Sequence, residues 1–375
     1  MSPSTPSLDR RALNRALLAR QWLLEPRRAS ALEAVEHLVG LQAQDVKAPY
    51  HQLVPRLVDF EPSELSSLLE RREAVRIALM RGTIHLVSAR DAAVLRPLVQ
   101  PMITRATEGN WRVGDEVDRA ALAAAGRALV EAQPRTFAQL GALLAERYPD
   151  ADPAALAQQI RCHVPLVQVP PRGLWQRSGA PAHTSLAAWT GARETAGAAI
   201  DDVVLRYLRA FGPATVQDMQ KWSGLTRLGA AFDRLRDRLV TFADAETGRR
   251  ELFDLPDAPR PDPDDAPAPP PILVGPFDNL ILSHADTTRV LPAEHRPKVM
   301  TQNGLIAGLV LVDGLVAGNW RIKAVKQSAT LTVASFSGKA YKKRDAARIA
   351  AQAERLLALT APDAAARDVV FTPSG

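Results

Sequence analysis

Apolar residues near the beginning of the chain recur at helical spacing, and each apolar run follows a residue that favours a helix start. A first helix is predicted over residues 8–24. Ser30 and Glu33 form a capping box that starts a second helix. Pro49 and Pro62 stand at the first helical positions of two more. Four helices are therefore predicted before the pattern changes.

Two β-prone runs follow these helices. They cover residues 75–80 and 83–87, and Arg81 and Gly82 between them have the length of a two-residue hairpin turn. Several helices followed by a hairpin is the element order of a winged-helix motif. The first third of the chain is therefore predicted to form one winged-helix motif.

The same order of helices and then a hairpin recurs twice. In the second copy, the hairpin strands are predicted over residues 164–169 and 173–176. In the third copy, a helix over residues 225–238 precedes strands over residues 239–243 and 251–255. Helix-start signals accompany both copies and lie at Thr136, Asp152 and Thr215. The copies differ in sequence, so they are interpreted as structural repeats.

The final part of the chain has a different pattern. Eight prolines in residues 256–271 predict a linker or an extended crossing segment. The elements predicted beyond it are three strands and a helix, over residues 305–312, 315–320, 330–336 and 345–359. The first two strands flank Asp313-Gly314, which favours a hairpin turn. A small β-rich domain is therefore expected.

Together these patterns predict an α+β fold, mainly helical, with three tandem winged-helix motifs and a β-rich C-terminal domain. The chain of 375 residues is long enough for such units to bury cores of their own. The predicted divisions are the three winged-helix units, the proline-rich linker and the C-terminal domain, at residues 8–113, 114–195, 196–258, 259–271 and 272–375.

Composition excludes several classes of site. The single cysteine, Cys162, excludes a disulfide framework and a cysteine-based zinc site. The seven histidines include no pair at helical metal-binding spacing, so we expect a protein without a metal or cofactor. No apolar run reaches eighteen residues, and the first seven residues lack the apolar region of a signal peptide. We therefore expect a cytoplasmic protein with no membrane partner.

Positive charge is concentrated in one region. The formal net charge is +6, and residues 271–344 alone hold ten Lys or Arg against four Asp or Glu. A uniformly solvated surface would spread that excess more evenly. The distribution favours an anionic partner, with nucleic acid as the first choice.

A pair of glutamines follows the second predicted helix. Gly40 favours the left-handed conformation that ends a helix, and Gln42 and Gln44 come directly after it. In an extended segment, a spacing of two residues aims both amides to the same side. Two adjacent amides can hold a water molecule or the edge of a base. The simpler interpretation is a polar loop, and the spacing alone favours it.

Several short stretches occur in order along the chain. They are Gly40–Gln44 with Pro49-Tyr50, Val75-Arg76 with Met80–His85, Phe277–Leu280, Ser283–Asp286, Arg289-Val290, and Val312–Gly314 with Gly318–Arg321. As a set they resemble one family, the winged-helix DNA glycosylases of the AlkZ type. No single stretch is specific, but the ordered set extends over most of the chain.

This resemblance implies that the winged-helix motifs and the β-rich part form a C-shaped channel around double-stranded DNA. It also implies hydrolysis of the N-glycosidic bond of alkylated purines, including interstrand crosslinks formed by a natural product, in DNA repair or self-resistance. The family carries its catalytic motif as Gln-x-Gln or Gln-x-Asp, which assigns catalysis to Gln42 and Gln44. We expect the protein to act as a monomer.

The chemistry is consistent with a site that lacks a carboxylate. A purine alkylated at N7 or N3 already carries positive charge and leaves as a neutral molecule, so the enzyme has only to position water and stabilise the sugar cation. Glutamine is not a base, so neutral lesions such as uracil are expected to resist. Asp45 points away from Gln44 in an extended segment and is assigned a capping role. No lysine is expected near the site, so we expect a monofunctional enzyme that leaves an abasic site without a lyase step.

The residues expected to contact DNA lie in the first hairpin and in the basic region: Arg81, His85, Ser283, His284, Arg289, Arg321, Lys323 and Lys326. Arg81, at a turn, would reach phosphate or remain solvated, and His85 would line the cleft or face solvent. Ser283, His284 and Asp286 are too close in sequence to form a catalytic triad. They are assigned to DNA contact or to a local turn network.

The basic residues of the predicted C-terminal strands have two interpretations. Arg321, Lys323 and Lys326 lie at strand spacing and would form an edge that follows DNA phosphates. The alternative is an ordinary charged surface. Given the local excess of positive charge, the two interpretations are about equally favoured.

A second function remains open for a chain of winged-helix motifs. Such motifs occur most often in sequence-specific transcriptional regulators, which commonly dimerise and place one recognition helix in each half-site. Three unequal copies and a basic β-rich part fit an enclosing clamp better. Release of a damaged base would identify the enzyme, and binding to one palindrome without release would identify the regulator.

Overall fold

The computed structural model describes residues 6–191, 199–248, 250–265, 268–300, 304–325 and 327–373. The protein has a mixed α+β fold and is 44% helical. The described helices are α1 Arg10–Arg20, α2 Ala31–His37, α3 Ala48–Leu53, α4 Pro62–Glu70, α5 Ala89–Asn110, α6 Arg119–Ala132, α7 Phe137–Ala145, α8 Pro153–His163, α9 Leu186–Thr190, α10 Ile200–Phe211, α11 Val216–Ser223, α12 Gly229–Arg234, α13 Asn279–Leu282, α14 Arg296–Val299 and α15 Lys343–Thr360. The described strands are β1 Ser7–Leu8, β2 Leu41–Gln42, β3 Ala74–Ala78, β4 Ile84–Ser88, β5 Leu166–Gln168, β6 His183–Ser185, β7 Val240–Asp244, β8 Glu251–Asp254, β9 Ile272–Val274, β10 Gly308–Val312, β11 Leu315–Val325, β12 Ser328–Ser335 and β13 Ala366–Pro373. None of the helices in these ranges is long and apolar enough to cross a membrane.

The helix starts predicted from local sequence are confirmed. Ser30 and Glu33 form the capping box of α2, and Thr136 and Thr215 start α7 and α11 in the same way. The Asp152 side chain caps α8. A cap depends on residues at most three positions apart, which is why the sequence is sufficient to locate it.

Strands from the first and second predicted units join in one sheet. The sheet has the order β2-β4-β3-β5-β6, and every neighbouring pair is antiparallel. One face, which includes Leu41 and Leu86, packs against α2, α3 and α4. The opposite face, which includes Val75, Ile77 and Val87, packs against α5 and α10. The sheet is therefore covered on both sides.

The predicted second strand of the middle hairpin is wrong. β5 pairs with β6, whereas residues 173–176 form a turn. Gly173 and Gln176 have φ values of +92° and +55°, and such left-handed residues do not continue an extended strand.

The helix predicted over residues 225–238 is shorter than expected. Its helical part is α12, followed by a 3₁₀ turn at Arg236–Arg238. Arg227 has a φ of +61°, which prevents a helix from beginning at residue 225.

The C-terminal part is built on a second five-stranded sheet with the order β13-β12-β11-β10-β9. The predicted hairpin is confirmed as β10 and β11, and the third predicted strand is confirmed as β12, which pairs with β11 in antiparallel orientation. Ile349 and Leu357 of α15 share a buried cluster with Leu331 and Trp320 of the sheet. β13 is not predicted by the sequence pattern, and it pairs with β12 in parallel at the edge of the sheet.

The third predicted hairpin is confirmed as β7 and β8, and β1 joins it to give the order β1-β7-β8. Two buried ion pairs connect the N-terminal helices to later parts of the chain. Arg20 of α1 pairs with Asp254 of β8, and Arg56 pairs with Asp278 directly before α13. These contacts join segments that are far apart in the sequence.

Candidate active site

The strand that carries the glutamine pair lies close against β4. Gly40 joins α2 to β2 with a φ of +96°, which is accessible to glycine at little cost. A Cβ atom added to Gly40 would lie 2.5 Å from a Val87 side-chain atom. Glycine is therefore required here both by the turn and by the approach of β2 to β4.

Gln42 is almost fully covered, with 5% of its surface exposed. Its side-chain Oε1 accepts a hydrogen bond of 2.7 Å from Arg81 Nη2. Its backbone oxygen accepts one of 3.1 Å from Gln52 Nε2. Because a guanidinium group can only donate, Oε1 and not Nε2 must face Arg81. Within the described ranges, Gln42 Nε2 has no acceptor.

Gln44 is exposed, in contrast to Gln42. Its Oε1 accepts a hydrogen bond of 2.8 Å from the backbone N–H of Ile84. The orientation of this amide is also fixed, since the Ile84 N–H is a donor. Both glutamine oxygens therefore bond to the β3–β4 hairpin, and no described residue accepts a bond from either amide nitrogen.

Hydrogen bonds to residues of β3 and β4 fix the backbone of Ala43, between the two glutamines. Ala43 N donates to Ile84 O at 2.7 Å, and Ala43 O accepts from Arg76 Nη2 at 2.8 Å. Arg76 is 1% exposed, and burial lowers the pKa of its guanidinium to about 10. The group still carries its proton at neutral pH, so it remains a donor that fixes Ala43.

His85 lies beside Gln42 in the sheet. The two residues are directly opposite each other in β2 and β4, so their side chains share one face. His85 is 1% exposed, and its Nδ1 donates to Thr83 O at 3.0 Å. Burial, followed by the charge of Arg81, lowers its pKa to about 3, so the imidazole is neutral. His85 is therefore part of the wall of the site and not an exposed group that binds DNA.

Arg81 does not extend from an exposed hairpin tip. Its Nη2 bonds to Gln42, and its Nη1 donates to the backbone oxygen of Trp222, in α11. Burial lowers the pKa of its guanidinium to about 10. The expectation that Arg81 is either solvated or bound to phosphate is corrected, because both terminal nitrogens have partners inside the protein.

The Asp45 side chain makes a turn contact and does not cap α3, which begins without a side-chain cap hydrogen bond. Asp45 is exposed, and its Oδ1 accepts a hydrogen bond of 2.7 Å from the backbone N–H of Lys47, at the start of α3. The carboxylate therefore shapes the turn after the glutamine pair. Lys47 is also exposed and lies only three residues after Gln44, so the expectation that no lysine lies near the site is wrong.

Residues at the start of α13 and directly before it support β2, a role that the sequence did not indicate. Asn279 Nδ2 donates to Gly40 O at 2.7 Å. Gln52, which holds the backbone of Gln42, also donates to Pro276 O at 2.8 Å. Hydrogen bonds to Pro276 and from Asn279 therefore support β2 and the residues beside it.

Three of the residues expected to contact DNA lie inside the protein. Ser283 Oγ donates to Asn279 O, and His284 Nε2 donates to Phe211 O at 3.0 Å. Arg289 Nη1 donates to Pro213 O at 2.8 Å. Ser283, His284 and Arg289 are all buried, so the expectation that these side chains contact DNA is wrong. His284 and Arg289 instead connect this stretch to the end of α10 and to the residues before α11, whereas the Ser283 hydroxyl bonds within α13.

The local turn network that was the alternative for this stretch is present at its end. Asp286 Oδ1 accepts hydrogen bonds from the backbone and the hydroxyl of Thr288, at 3.0 and 2.6 Å. Burial lowers the pKa of the His284 imidazole to about 3, so it is neutral at physiological pH. The stretch is therefore structural.

The basic residues of β11 are accessible. Arg321 and Lys323 are exposed, and their spacing of two along the strand puts them on one side of the sheet. Their partners in β12 are Thr332 and Thr330. Lys326 lies outside the described residues. No group of three histidine, cysteine or carboxylate side chains suited to a metal ion occurs in the part of the chain that the structure describes.

Comparison with known proteins adds three findings. The family model described as DNA glycosylase AlkZ-like matches residues 35–359. An interstrand DNA cross-link repair glycosylase from Streptomyces sahachiroi is 29% identical over 329 residues, which is 81% of this chain and 85% of that protein. The solved structure of the Streptomyces sahachiroi DNA glycosylase AlkZ matches with a TM-score of 0.75 and 21% identity, covering 98% of this chain and 100% of that one. At that identity, the structural match concerns the fold.

Proposed function

Because the chain belongs to the AlkZ-like DNA glycosylase family, we propose that it hydrolyses the N-glycosidic bond of purines alkylated at N7 or N3 in double-stranded DNA. In this proposal Gln42 and Gln44 hold the water molecule that attacks the sugar. The main support is the state of the two amides: their oxygens are bonded to the β3–β4 hairpin, and their nitrogens have no acceptor among the described residues.

The two amides differ in a way that supports separate roles. Gln42 Oε1 accepts from the cationic guanidinium of Arg81, which weakens it as a further acceptor and strengthens Nε2 as a donor. Gln44 Oε1 accepts only from a neutral backbone N–H, so its second lone pair is the better acceptor. Gln42 would then donate a hydrogen bond to the water oxygen, while Gln44 Oε1 would accept a hydrogen bond from the water.

The reaction needs no carboxylate if the leaving base is cationic. As the water oxygen bonds to C1′, the bond from C1′ to the purine breaks, and its electron pair stays with the base. The base leaves as a neutral molecule, and one water proton passes to solvent. Held in place by two amides, the water has the advantage of proximity and orientation.

We propose the winged-helix arrangement as the means of holding DNA. The three units at residues 8–113, 114–195 and 196–258 would line a C-shaped channel, with the linker at 259–271 and the domain at 272–375 closing it. Arg321 and Lys323 would follow the phosphates, since both are exposed on one side of β11. The relative whose name refers to interstrand DNA cross-link repair supports bulky crosslinks as further substrates.

The proposal predicts selectivity for cationic lesions. The wild-type protein is incubated with a duplex that holds one N7-methylguanine and with a matched duplex that holds one uracil. Mass spectrometry of the free bases is expected to find methylguanine at about 100-fold or more above spontaneous loss, because positioned water adds at least that factor. Uracil release is expected to remain at background.

Three results would count against this assignment. Methylguanine loss at the spontaneous rate would contradict the activity, and comparable release of uracil would contradict the chemistry. Strand cleavage without added alkali would indicate a lyase step, for which exposed Lys47 is the first residue to test.

A further inference from the structure

Arg81 connects the catalytic strand to a helix 141 residues away in sequence. Its guanidinium lies between Gln42 Oε1 and the backbone oxygen of Trp222. We propose that Arg81 is a positioning residue, which fixes the Gln42 amide and makes its orientation depend on the position of α11. This inference rests on the proposed function, since it assigns a task to Gln42.

The charge of Arg81 is compensated by a helix end. Burial lowers the pKa of its guanidinium to about 10, and none of the described carboxylates pairs with it. Trp222 is in the last turn of α11, where backbone oxygens have no partner within the helix and the helix dipole is negative. Arg81 therefore caps this helix end from outside, and the helix end stabilises its charge.

The backbones of the β3–β4 hairpin and of the end of α11 lie close together. Arg81 itself has a φ of +56°, in the left-handed region. Gly224 ends α11 with a φ of +79°, and a Cβ atom there would lie 3.2 Å from the backbone nitrogen of Arg81. The hairpin and the helix end thus meet at backbone distance, so a shift of α11 would also move the guanidinium.

The contact determines which amide atom of Gln42 is free. A terminal amide torsion is broad and roughly two-fold, so Gln42 alone has little preference between its two orientations. The guanidinium removes that ambiguity, because it accepts no hydrogen bond. Without Arg81, the amide can turn and present its oxygen where the proposed mechanism needs a donor.

The test compares Arg81→Met and Arg81→Lys with the wild type and Gln42→Ala. Single-turnover release of N7-methylguanine gives the rate, and titration of the same duplex gives its affinity. Arg81→Met is expected to lower the rate about 10- to 100-fold, the value of one charged hydrogen bond, with affinity unchanged within about twofold. Arg81→Lys, which keeps the charge but makes one contact, is expected to lose less.

Two further measurements distinguish positioning from simple structural support. Free guanidinium at millimolar concentration is expected to restore part of the Arg81→Met rate, and no rate at all to Gln42→Ala. The double variant is expected to be no slower than Gln42→Ala alone, because both changes act on one group. Arg28→Met, which removes an arginine that is 82% exposed, serves as the matched control.

The results separate this inference from the proposed function. If the wild type releases methylguanine and Arg81→Met does so at the same rate, the inference is overturned and the function stands. A variant with weaker DNA binding and an unchanged rate would identify Arg81 as a phosphate contact, which also overturns it. If the wild type releases no base, both fail. Should Arg81→Met not fold, an unchanged rate in Arg81→Lys with no response to guanidinium overturns the inference.

Discussion

Replacing Gln42 by alanine is expected to lower the single-turnover rate of N7-methylguanine release by about 100- to 1,000-fold, because loss of an oriented donor removes much of the advantage of a positioned water. The affinity for DNA is expected to change by less than about threefold, since one covered side chain adds little to a contact made mostly with phosphates. Gln44→Ala is expected to lower the rate as well, and it also removes the bond to Ile84 N. The rate is measured with enzyme in excess over duplex.

The control for this prediction lies one residue beyond the pair. Asp45→Ala removes the only carboxylate in the segment from residue 40 to residue 48, and its known contact is with the Lys47 backbone. Once folding is verified, its release rate is predicted to stay within about twofold of the wild type, because only one exposed turn bond is lost. A variant at Asp45 that is as inactive as Gln42→Ala would instead make the carboxylate the catalytic group.

Replacing Asp278 by alanine is expected to lower the free energy of unfolding by about 3–5 kcal/mol, because it leaves the charge of Arg56 buried without a partner. The pair is bidentate, with both bonds at 2.7 Å and both side chains 1% exposed. Asp278 also accepts from Leu280 N at the start of α13. Urea unfolding monitored by fluorescence and by circular dichroism measures the change.

Asp264→Ala is the matched control for this second prediction. Asp264 also pairs with an arginine, Arg11, at 3.1 Å, but its side chain is 87% exposed. Loss of so exposed a pair is expected to leave the unfolding midpoint unchanged. If Asp278→Ala unfolds at the same urea concentration as the wild type, the buried pair does not hold the C-terminal part to the turn after α3 as the structure implies.

Local signals explain what the sequence predicted well. The capping boxes at Ser30, Thr136 and Thr215 depend on neighbours three residues apart, and all three are present in the structure. The hairpins at Gly248 and at Asp313-Gly314 depend on turn residues that favour positive φ. Such features need no knowledge of the rest of the chain.

Contacts between distant segments explain what the sequence missed. The strand at residues 366–373 is identified by its parallel pairing with β12 and not by its own pattern. Arg81 was placed at an exposed turn, but the left-handed backbone and α11 bring its side chain to Gln42. The buried positions of Ser283 and His284 likewise depend on packing against α10. Nothing within a few residues of these positions predicts such partners.

For the glutamine pair, the sequence predicted the identity of the residues but not their environment. Its spacing and the resemblance to a family were sufficient to single out Gln42 and Gln44. That spacing did not indicate that one side chain is covered and the other exposed, or that both oxygens bond to the β3–β4 hairpin. The difference between the two amides, on which the proposed division of roles depends, is visible only in three dimensions.

The most direct test of the central claim is the structure of the wild-type protein with a duplex that holds a 2′-fluorinated N7-methylguanosine, a nucleotide whose glycosidic bond resists cleavage. One ordered water is expected within hydrogen-bond distance of Gln42 Nε2 and Gln44 Oε1 and about 3–3.5 Å from C1′ of that nucleotide. Phosphates are expected beside Arg321 and Lys323. A damaged nucleotide bound elsewhere, with its C1′ far from both amides, would show that Gln42 and Gln44 do not position the attacking water.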